Sequence, residues 1–367
     1  MTEETRKLAS VRRIAALDPI PGADAIEVAT VDGWKVVVKK GEYEVGDLAV
    51  YYEIDSFLPE RPEYEFLRKS SFKTQNGVGG FRLRTIKLRK QVSQGLLTPL
   101  RQAAEPDSAW IPYPPEADVE GEMRVFLGDD VTDQLGVVKW DPPVPAQLAG
   151  TVKGNFPTRL RKTDEERVQN LRYADLLDWQ QQGGDFYLTE KLDGSSMTCY
   201  LLDGEFGVCS RNLDLKETEG NTFWQVARSM DLEGKMREIA SRMTGGDENG
   251  WNFAIQGELI GPGIQGNRYA LPEATFRLFN AIDVDGEMPR LPWRFLRDLS
   301  GVIPSLPMVP VLDKHFWLPP TVDDLIAMAD GPSVLNAQTK REGFVVRSHD
   351  GELSFKVISN AFLLKEK

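Results

Sequence analysis

The sequence predicts an α+β protein in two parts: a small N-terminal β-barrel, then a larger domain built on antiparallel sheet with a few helices. Three observations carry this expectation. Residues from about Ala9 to Leu135 read as short strands separated by turns, the pattern of a small barrel or sandwich. Pro142, Pro143 and Pro145, with Gly150 and Gly154 behind them, interrupt that pattern. Beyond the interruption, strands joined mostly by hairpin turns mix with helical stretches, which favours an antiparallel domain over a doubly wound parallel sheet. A chain of 367 residues is long enough for two cores. The expected division is 1–141, a linker at 142–155, and 156–367.

Composition narrows the class. Hydrophobic residues at 41% and charged residues at 27% suit a soluble globular protein. No apolar run approaches the roughly 20 residues that span a bilayer, so no membrane association is expected. The opening Met1-Thr2-Glu3-Glu4-Thr5-Arg6-Lys7 lacks the apolar core of a signal peptide. Two cysteines, Cys199 and Cys209, suit a reducing, cytoplasmic location. With His315 and His349 the only histidines, His-based triads and His/Cys zinc sites are disfavoured.

In the first part, Ile26–Val31 alternates, Asp32-Gly33 makes a turn, and Trp34–Val38 follows. Gly46-Asp47 turns again before Leu48–Tyr52. Phe81–Leu88 alternates as one strand with basic residues on one face. The formal net charge of −12 argues against a polyanion partner, but its distribution does not. From Arg68 to Arg101 there are nine basic residues and no acidic one. Arg82, Arg84, Lys87, Arg89 and Lys90, with Phe72 and Phe81 nearby, form a candidate nucleic-acid footprint. A solvated strand edge is the alternative. A basic small barrel fits an OB-fold, which commonly binds single strands or oligonucleotides.

In the second part, Phe186–Lys191, Met197–Leu202 and Glu205–Ser210 read as a meander turning at Asp193-Gly194 and Asp203-Gly204. Asn221 or Thr222 caps a helix starting near Phe223. Met230–Met243 carries a second helical pattern, broken by Gly234. Strands follow at Asn252–Ile260 and Thr275–Val284, then a short helix at Val322–Ala329. Gly343–Ser348 and Glu352–Ile358 close the chain as a hairpin.

The stretch Glu190-Lys191-Leu192-Asp193-Gly194-Ser195-Ser196 holds a lysine at the end of an apolar strand, beside carboxylates and a small-residue turn. Such a lysine can meet a phosphate, but its amine is nucleophilic only when deprotonated, which its surroundings must arrange. Asp-Gly is also an ordinary hairpin turn. Four further segments place charged residues at or in apolar strands: Ser210-Arg211-Asn212, Gln256-Gly257-Glu258-Leu259, Arg341-Glu342-Gly343-Phe344 and Ser354-Phe355-Lys356-Val357.

In this order, the segments resemble the nucleotidyltransferase motifs of ATP-dependent polynucleotide ligases and mRNA capping enzymes. Lys191-Leu192-Asp193-Gly194 is similar to motif I, Ser210-Arg211-Asn212 to Ia, and Phe279-Asn280-Ala281-Ile282-Asp283 to III, with Glu258 upstream of it. Glu342-Gly343-Phe344-Val345-Val346 is similar to motif IV and Phe355-Lys356-Val357 to V. The sequence ends eleven residues after Lys356, so the C-terminal OB domain common in DNA ligases and capping enzymes is not expected. With the barrel in front, and Lys162–Asn170 leading into motif I, the chain resembles RNA ligase family 5. One departure is Lys356-Val357-Ile358, where many relatives carry Lys-x-Lys.

The resemblance implies an OB-like barrel followed by an ATP-grasp-like adenylation domain. It implies an ATP-dependent RNA ligase that forms lysyl-AMP on Lys191, adenylates a 5′-phosphate and joins it to an RNA 3′-hydroxyl at nicks in duplexes. Glu190, Gly194, Arg211, Glu258, Phe279, Lys356 and Arg167 would bind ATP or AMP, with Phe279 against adenine. Asp193, Glu258 and Glu342 would hold Mg²⁺ or Mn²⁺ through waters. The implied partner is RNA or an RNA-containing nicked duplex, with no stable protein partner. A DNA ligase or a capping-type nucleotidyltransferase is the alternative within the superfamily, and a non-catalytic nucleic-acid-binding protein the alternative outside it.

Overall fold

The computed structural model describes residues 7–112, 121–141, 150–286, 290–302 and 306–365. Its chain divides into two compact units, Met1–Pro143 with Leu363–Lys367, and Val144–Phe362. Pro142, Pro143 and Pro145, and with them most of the expected linker, lie outside the described residues.

The first unit is made of short antiparallel strands. Leu48–Tyr52 is buried along its whole length and pairs on either side with Ala9–Arg13 and Leu96–Pro99. Ile26–Val31 and Trp34–Lys39 form the expected hairpin, turning on Asp32 and Gly33. Both turn residues have positive φ, 46° and 90°, as a two-residue hairpin turn requires. Val50, Leu58, Tyr64, Phe81, Leu83 and Ile111 meet in the core.

The expected single strand Phe81–Leu88 is broken in two. Val78–Arg82 pairs with Ser56–Pro59 and Phe72–Gln75. Thr85–Leu88 instead forms a hairpin with Gln91–Gln94. The alternation hides the break because Phe81, Leu83 and Thr85 keep one buried phase, while Ile86 and Leu88 beyond them are exposed. The second hairpin turns on Arg89 and Lys90, both at positive φ (48° and 72°), a conformation uncommon for side-chain-bearing residues.

The second unit holds two sheets. One runs, in spatial order, through Val152–Asn155, Leu213–Leu215, Glu205–Cys209, Ser195–Leu202, Phe253–Ile260 and Thr275–Asp283. The other runs through Glu166–Arg167, Ser354–Ile358, Gly343–Ser348, Phe186–Lys191 and Val311–Phe316. Among the described strand pairs only the short Glu166–Arg167 pairing is parallel, beside an isolated parallel bridge from Leu278 to Met308. Trp224, Met236 and Ile239 from two helices pack on the first sheet. Leu176 and Leu325, from helices Tyr173–Gln181 and Val322–Ala329, pack on the second.

Two expectations for this unit are corrected. Phe186–Lys191 and Ser195–Leu202 are not a hairpin; they belong to different sheets, and Leu192-Asp193-Gly194 carries the chain from one to the other. Asp203 and Gly204 adopt positive φ and make a hairpin, but neither Asp193 nor Gly194 does, so no such turn forms there. Gly234 does not break its helix, which runs Leu232–Thr244. It sits in the first turn, where its amide donates to the capping Asp231 carboxylate at 3.3 Å.

The first unit rests on a small core, so its largest buried side chains matter most. Phe81→Ala is expected to lower that unit's stability by about 3–5 kcal/mol, read as an earlier midpoint in urea denaturation.

Candidate active site

Alternation decides which side chains enter the cleft between the two sheets. On the lysine strand, Phe186 and Leu188 pack toward the helices, so Tyr187, Thr189 and Lys191 face the other way. The neighbouring strand repeats this, with Phe344 and Val346 on the helix side and Val345 and Arg347 on the cleft side. Register lines Thr189, Val345, Lys356 and Arg167 in one row across four strands. In the other sheet, Cys199, Phe253 and Ile255 pack on helices, which turns Thr198, Gln256 and Glu258 to the opposite face.

At the mouth of this arrangement, Lys191 Nζ lies 2.6 Å from Glu342 Oε1, the two side chains 28% and 13% exposed. Burial pulls the Lys191 ammonium toward a lower pKa. The combined attraction of Glu342, Glu258 and Asp193 outweighs burial and holds the amine above its ordinary value. Burial pushes the Glu258 carboxyl up to about 8, opposed by Lys191 and the Gly194 amide and reinforced by Glu342 and Asp193. Burial also raises Glu342, against the pull of Lys191 and Lys356. In this state Lys191 is charged and therefore not nucleophilic.

The loop behind the lysine is fixed by residues that sequence reading missed. Arg268 Nη1 donates to Asp193 Oδ2 at 2.6 Å, and its guanidinium lies 4.7 Å from the Phe362 ring. The Asp193 amide donates to Tyr269 Oη, also at 2.6 Å. Gly194 crosses against the other sheet so closely that a Cβ would stand 2.4 Å from the Leu259 carbonyl oxygen and 2.9 Å from Glu258 Cγ. Its smallness thus brings the lysine loop onto the Glu258 strand. Glu190 faces the helix side, where its buried carboxylate accepts from the Val334 amide at 2.8 Å.

Phe279 owes its position to a bulge. Gln256 pairs with Asn280 and Gly257 with Leu278, leaving Phe279 as the extra residue. It packs with Leu192, Ile260 and Tyr269 beside the lysine loop, 5.6 Å from the Arg347 guanidinium. Arg347 is in turn held by Glu165 at 3.0 Å and Thr189 at 3.3 Å, and Glu165 also takes Arg290 at 3.0 Å. Burial alone would raise the Glu165 carboxyl; Arg290 and Arg347 overcome it and hold the group below its usual range.

The remaining sequence candidates are placed as follows. Lys356 and Arg167 are register partners, and Lys356 is close enough to act on Glu342. Arg211, in the turn after Glu205–Cys209, is ion-paired to Asp164 at 2.6 Å. Glu342 is engaged by Lys191 and Asp193 by Arg268. Among the described residues, Asp193, Glu258 and Glu342 do not converge as a ready-made ligand cluster.

In the first unit the basic run is less cationic than its sequence. Arg68 pairs with Glu60 and Glu65, Arg101 with Glu122, and Arg82 with Asp55, all carboxylates from outside the run. Arg82 also lies over the Trp140 ring, and Arg84 is partly buried. Lys87, Arg89 and Lys90 project, exposed, from the second hairpin.

Known proteins share both units. Residues 8–100 match a family model described as an OB-fold domain, and residues 184–358 match one described as RNA ligase. A mutant of Naegleria gruberi RNA ligase with AMP and Mn is similar over 98% of this chain and 99% of that one, with 40% identity and a TM-score of 0.82. This chain belongs to the RNA ligase family. A second mutant of the Naegleria enzyme, with ATP and Mn, gives a TM-score of 0.81 at 40% identity over the same shares. The Naegleria enzyme with PPi gives 0.80 at 40% identity, again covering 98% and 99%. Comparison with curated proteins returns no match. The ligase is thus an α+β protein with an N-terminal OB-fold domain, as its sequence predicts, and it acts on RNA. Among its described residues, no helix is long and apolar enough to cross a membrane.

Two outcomes are expected. Glu165→Ala strands two arginines and should destabilise the ligase by about 3–5 kcal/mol, read by thermal or denaturant unfolding. Glu258 is raised in the folded state, so the native protein retains a proton that the unfolded chain has lost. The associated stability is fully present below about pH 4.5 and is lost as pH rises through about 8. Glu258→Gln should therefore flatten the fall of Tm across that window, measured by calorimetry.

Proposed function

We propose that the ligase uses ATP to form lysyl-AMP on Lys191, adenylates an RNA 5′-phosphate, and joins it to an RNA 3′-hydroxyl at nicks in duplexes. The observation that carries this reading is the Lys191–Glu342 pair at 2.6 Å, facing a second raised carboxyl on Glu258. In the first step, the Lys191 amine attacks the α-phosphorus of ATP; an N–P bond forms and pyrophosphate leaves. Glu342 is the group within reach of the amine proton. An oxygen of the RNA 5′-phosphate then displaces lysine from the same phosphorus. Finally the 3′-hydroxyl attacks the RNA phosphate and AMP leaves. Splitting one hard displacement this way is the benefit of covalent catalysis.

Asp193, Glu258 and Glu342 would hold Mg²⁺ or Mn²⁺ through oxygen ligands and waters. The chemistry of the donors fits an oxygen-seeking cation: three carboxyl groups act on one amine, and two of them are pushed above their ordinary pKa values. When bound, the cation supplies charge that the carboxylates otherwise draw from Lys191 and neutralises phosphate oxygens. Lys356 and Arg167 serve the α-phosphate from their shared row, and Arg211 takes ribose or phosphate by exchanging Asp164 for it. Phe279 stacks on adenine, kept in place by Arg347. Glu190 and Gly194 fix the lysine strand and its crossover at the nucleotide. RNA runs over Arg82, Arg84, Lys87, Arg89 and Lys90 of the OB-fold domain, taken as 1–141, with 142–155 as linker and 156–367 as the adenylation domain. The free, buried Cys199 and Cys209 agree with a cytoplasmic location.

Incubation with α-labelled ATP and Mg²⁺ or Mn²⁺, then denaturation, should leave label on the polypeptide. Lys191→Ala should abolish it, and label persisting in that variant would overturn the covalent step. Nicked duplexes with RNA or DNA at each strand position should be sealed fastest when the 3′-hydroxyl end is RNA. Equal sealing of an all-DNA nick would favour a DNA ligase instead.

A further inference from the structure

The only two histidines of the chain lie 34 positions apart and meet on one carboxylate. His315 Nδ1 is 2.8 Å from Asp185 Oδ2, and His349 Nε2 is 3.4 Å from the same oxygen. The two imidazoles are parallel within 8°, their centroids 5.4 Å apart. We propose that Asp185, His315 and His349 form a second divalent-metal site, selective for a transition ion such as Zn²⁺ and separate from the nucleotide cleft.

Topology builds this juxtaposition. Phe186 pairs with Phe316 on one side and Ser348 on the other. Asp185 stands just before and His349 just after these paired residues, and His315 is the residue before Phe316, so the three lie at one end of three adjacent strands. Lys191 lies at the other end of the central strand, about 20 Å away at strand rise. The cluster is thus independent of the adenylation chemistry.

Geometry and chemistry agree on the ion. Tetrahedral bonds of about 2.0–2.2 Å set ligand separations of about 3.3–3.6 Å; the 3.4 Å from Asp185 to His349 matches, and the 2.8 Å to His315 would open by about half an ångström. Among the described residues this is the one group of three His, Cys, Asp or Glu whose ligand atoms lie within 4.8 Å of one another. Two imidazoles and a carboxylate suit Zn²⁺, Co²⁺ or Ni²⁺, whereas Mg²⁺ prefers oxygen and retained water. His349 is oriented by the Tyr187 and Trp293 rings, at 5.5 and 6.2 Å. Its Nε2 is also 2.8 Å from the Lys314 carbonyl oxygen. Binding would take Nδ1 of His315 and Nε2 of His349 as ligand atoms, leave the other ring nitrogen to carry the proton, and replace the Lys314 contact on Nε2. A depression of about 410 Å³, lined in part by Trp179, Gly184, Asp185 and His349, leaves room for a water or an anion on the ion's open side.

The test is titration of tag-free full-length protein with Zn²⁺ alone, against a chromophoric chelator, and with Co²⁺ alone, by visible absorption. One equivalent should bind to wild type and to Lys191→Ala alike, with affinity reduced at least tenfold in His315→Ala, His349→Ala and Asp185→Asn. His315 is 72% exposed, so His315→Ala serves if His349→Ala fails to fold. Binding unchanged in His315→Ala, binding lost in Lys191→Ala, or no binding tighter than that of Mg²⁺ would each overturn the site. None of these outcomes bears on lysine adenylylation, which the labelled-ATP experiment tests separately.

Discussion

The partly buried pairing of Lys191 with Glu342 is the constraint around which the second unit is organised. A lone amine in that cleft would lose its proton to burial, and a lone carboxylate would gain one. Their contact at 2.6 Å opposes both shifts: it helps hold the lysine above its ordinary value, while burial still raises Glu342. The cluster is nevertheless unbalanced, because Glu258 and Asp193 also look toward the same amine. Asp193 is satisfied separately by Arg268, whereas Glu258 is left near pKa 8. Glu258 thus keeps its proton below about pH 8, and positive charge arriving beside it would favour its ionised form. The attraction of these carboxyl groups keeps Lys191 protonated, the unreactive form of an amine.

Adding Glu258 to that pair requires two sheets rather than one. The lysine strand and the Gly343–Ser348 strand bring Lys191 and Glu342 together as register neighbours, since Lys191 pairs with Gly343. Glu258 comes from the other sheet and meets them only because Leu192-Asp193-Gly194 crosses between sheets without a side chain at Gly194 to hold them apart. A second layer keeps these side chains still. Glu165 binds Arg347 and Arg290, Arg347 reaches Thr189 and the Phe279 ring, and the bulge at Phe279 gives that ring its place.

Much of this was legible in the chain. Alternation and turn chemistry located most strands, the capped helix at Thr222–Ser229, and the helix Val322–Ala329 with its own bounds. The charged residues at strand ends marked Lys191, Glu258, Glu342 and Lys356 as one set. Misreadings came where local pattern has two solutions. Asp193-Gly194 has the composition of a hairpin turn but neither residue takes the positive φ that such a turn needs. Phe81–Leu88 keeps its alternation through a break, because pairing partners, not periodicity, end the strand. Arg268, Tyr269 and Arg347 carried no local signal, since a loop arginine or an in-strand arginine looks the same whether or not it meets Asp193 or Glu165.

What the sequence determined by itself was the list of chemical groups, their order, and which face of each strand they occupy, because backbone alternation is a local property. The tertiary structure alone decided their company. It placed Lys191 between two sheets instead of at a hairpin tip, and paired three of the nine basic residues of the run in the OB-fold domain with carboxylates from elsewhere in the chain. It also brought the only two histidines to one aspartate. Charge and metal-ligand chemistry act over a few ångströms of space, and separation along the chain does not encode that distance until the strands have chosen their neighbours.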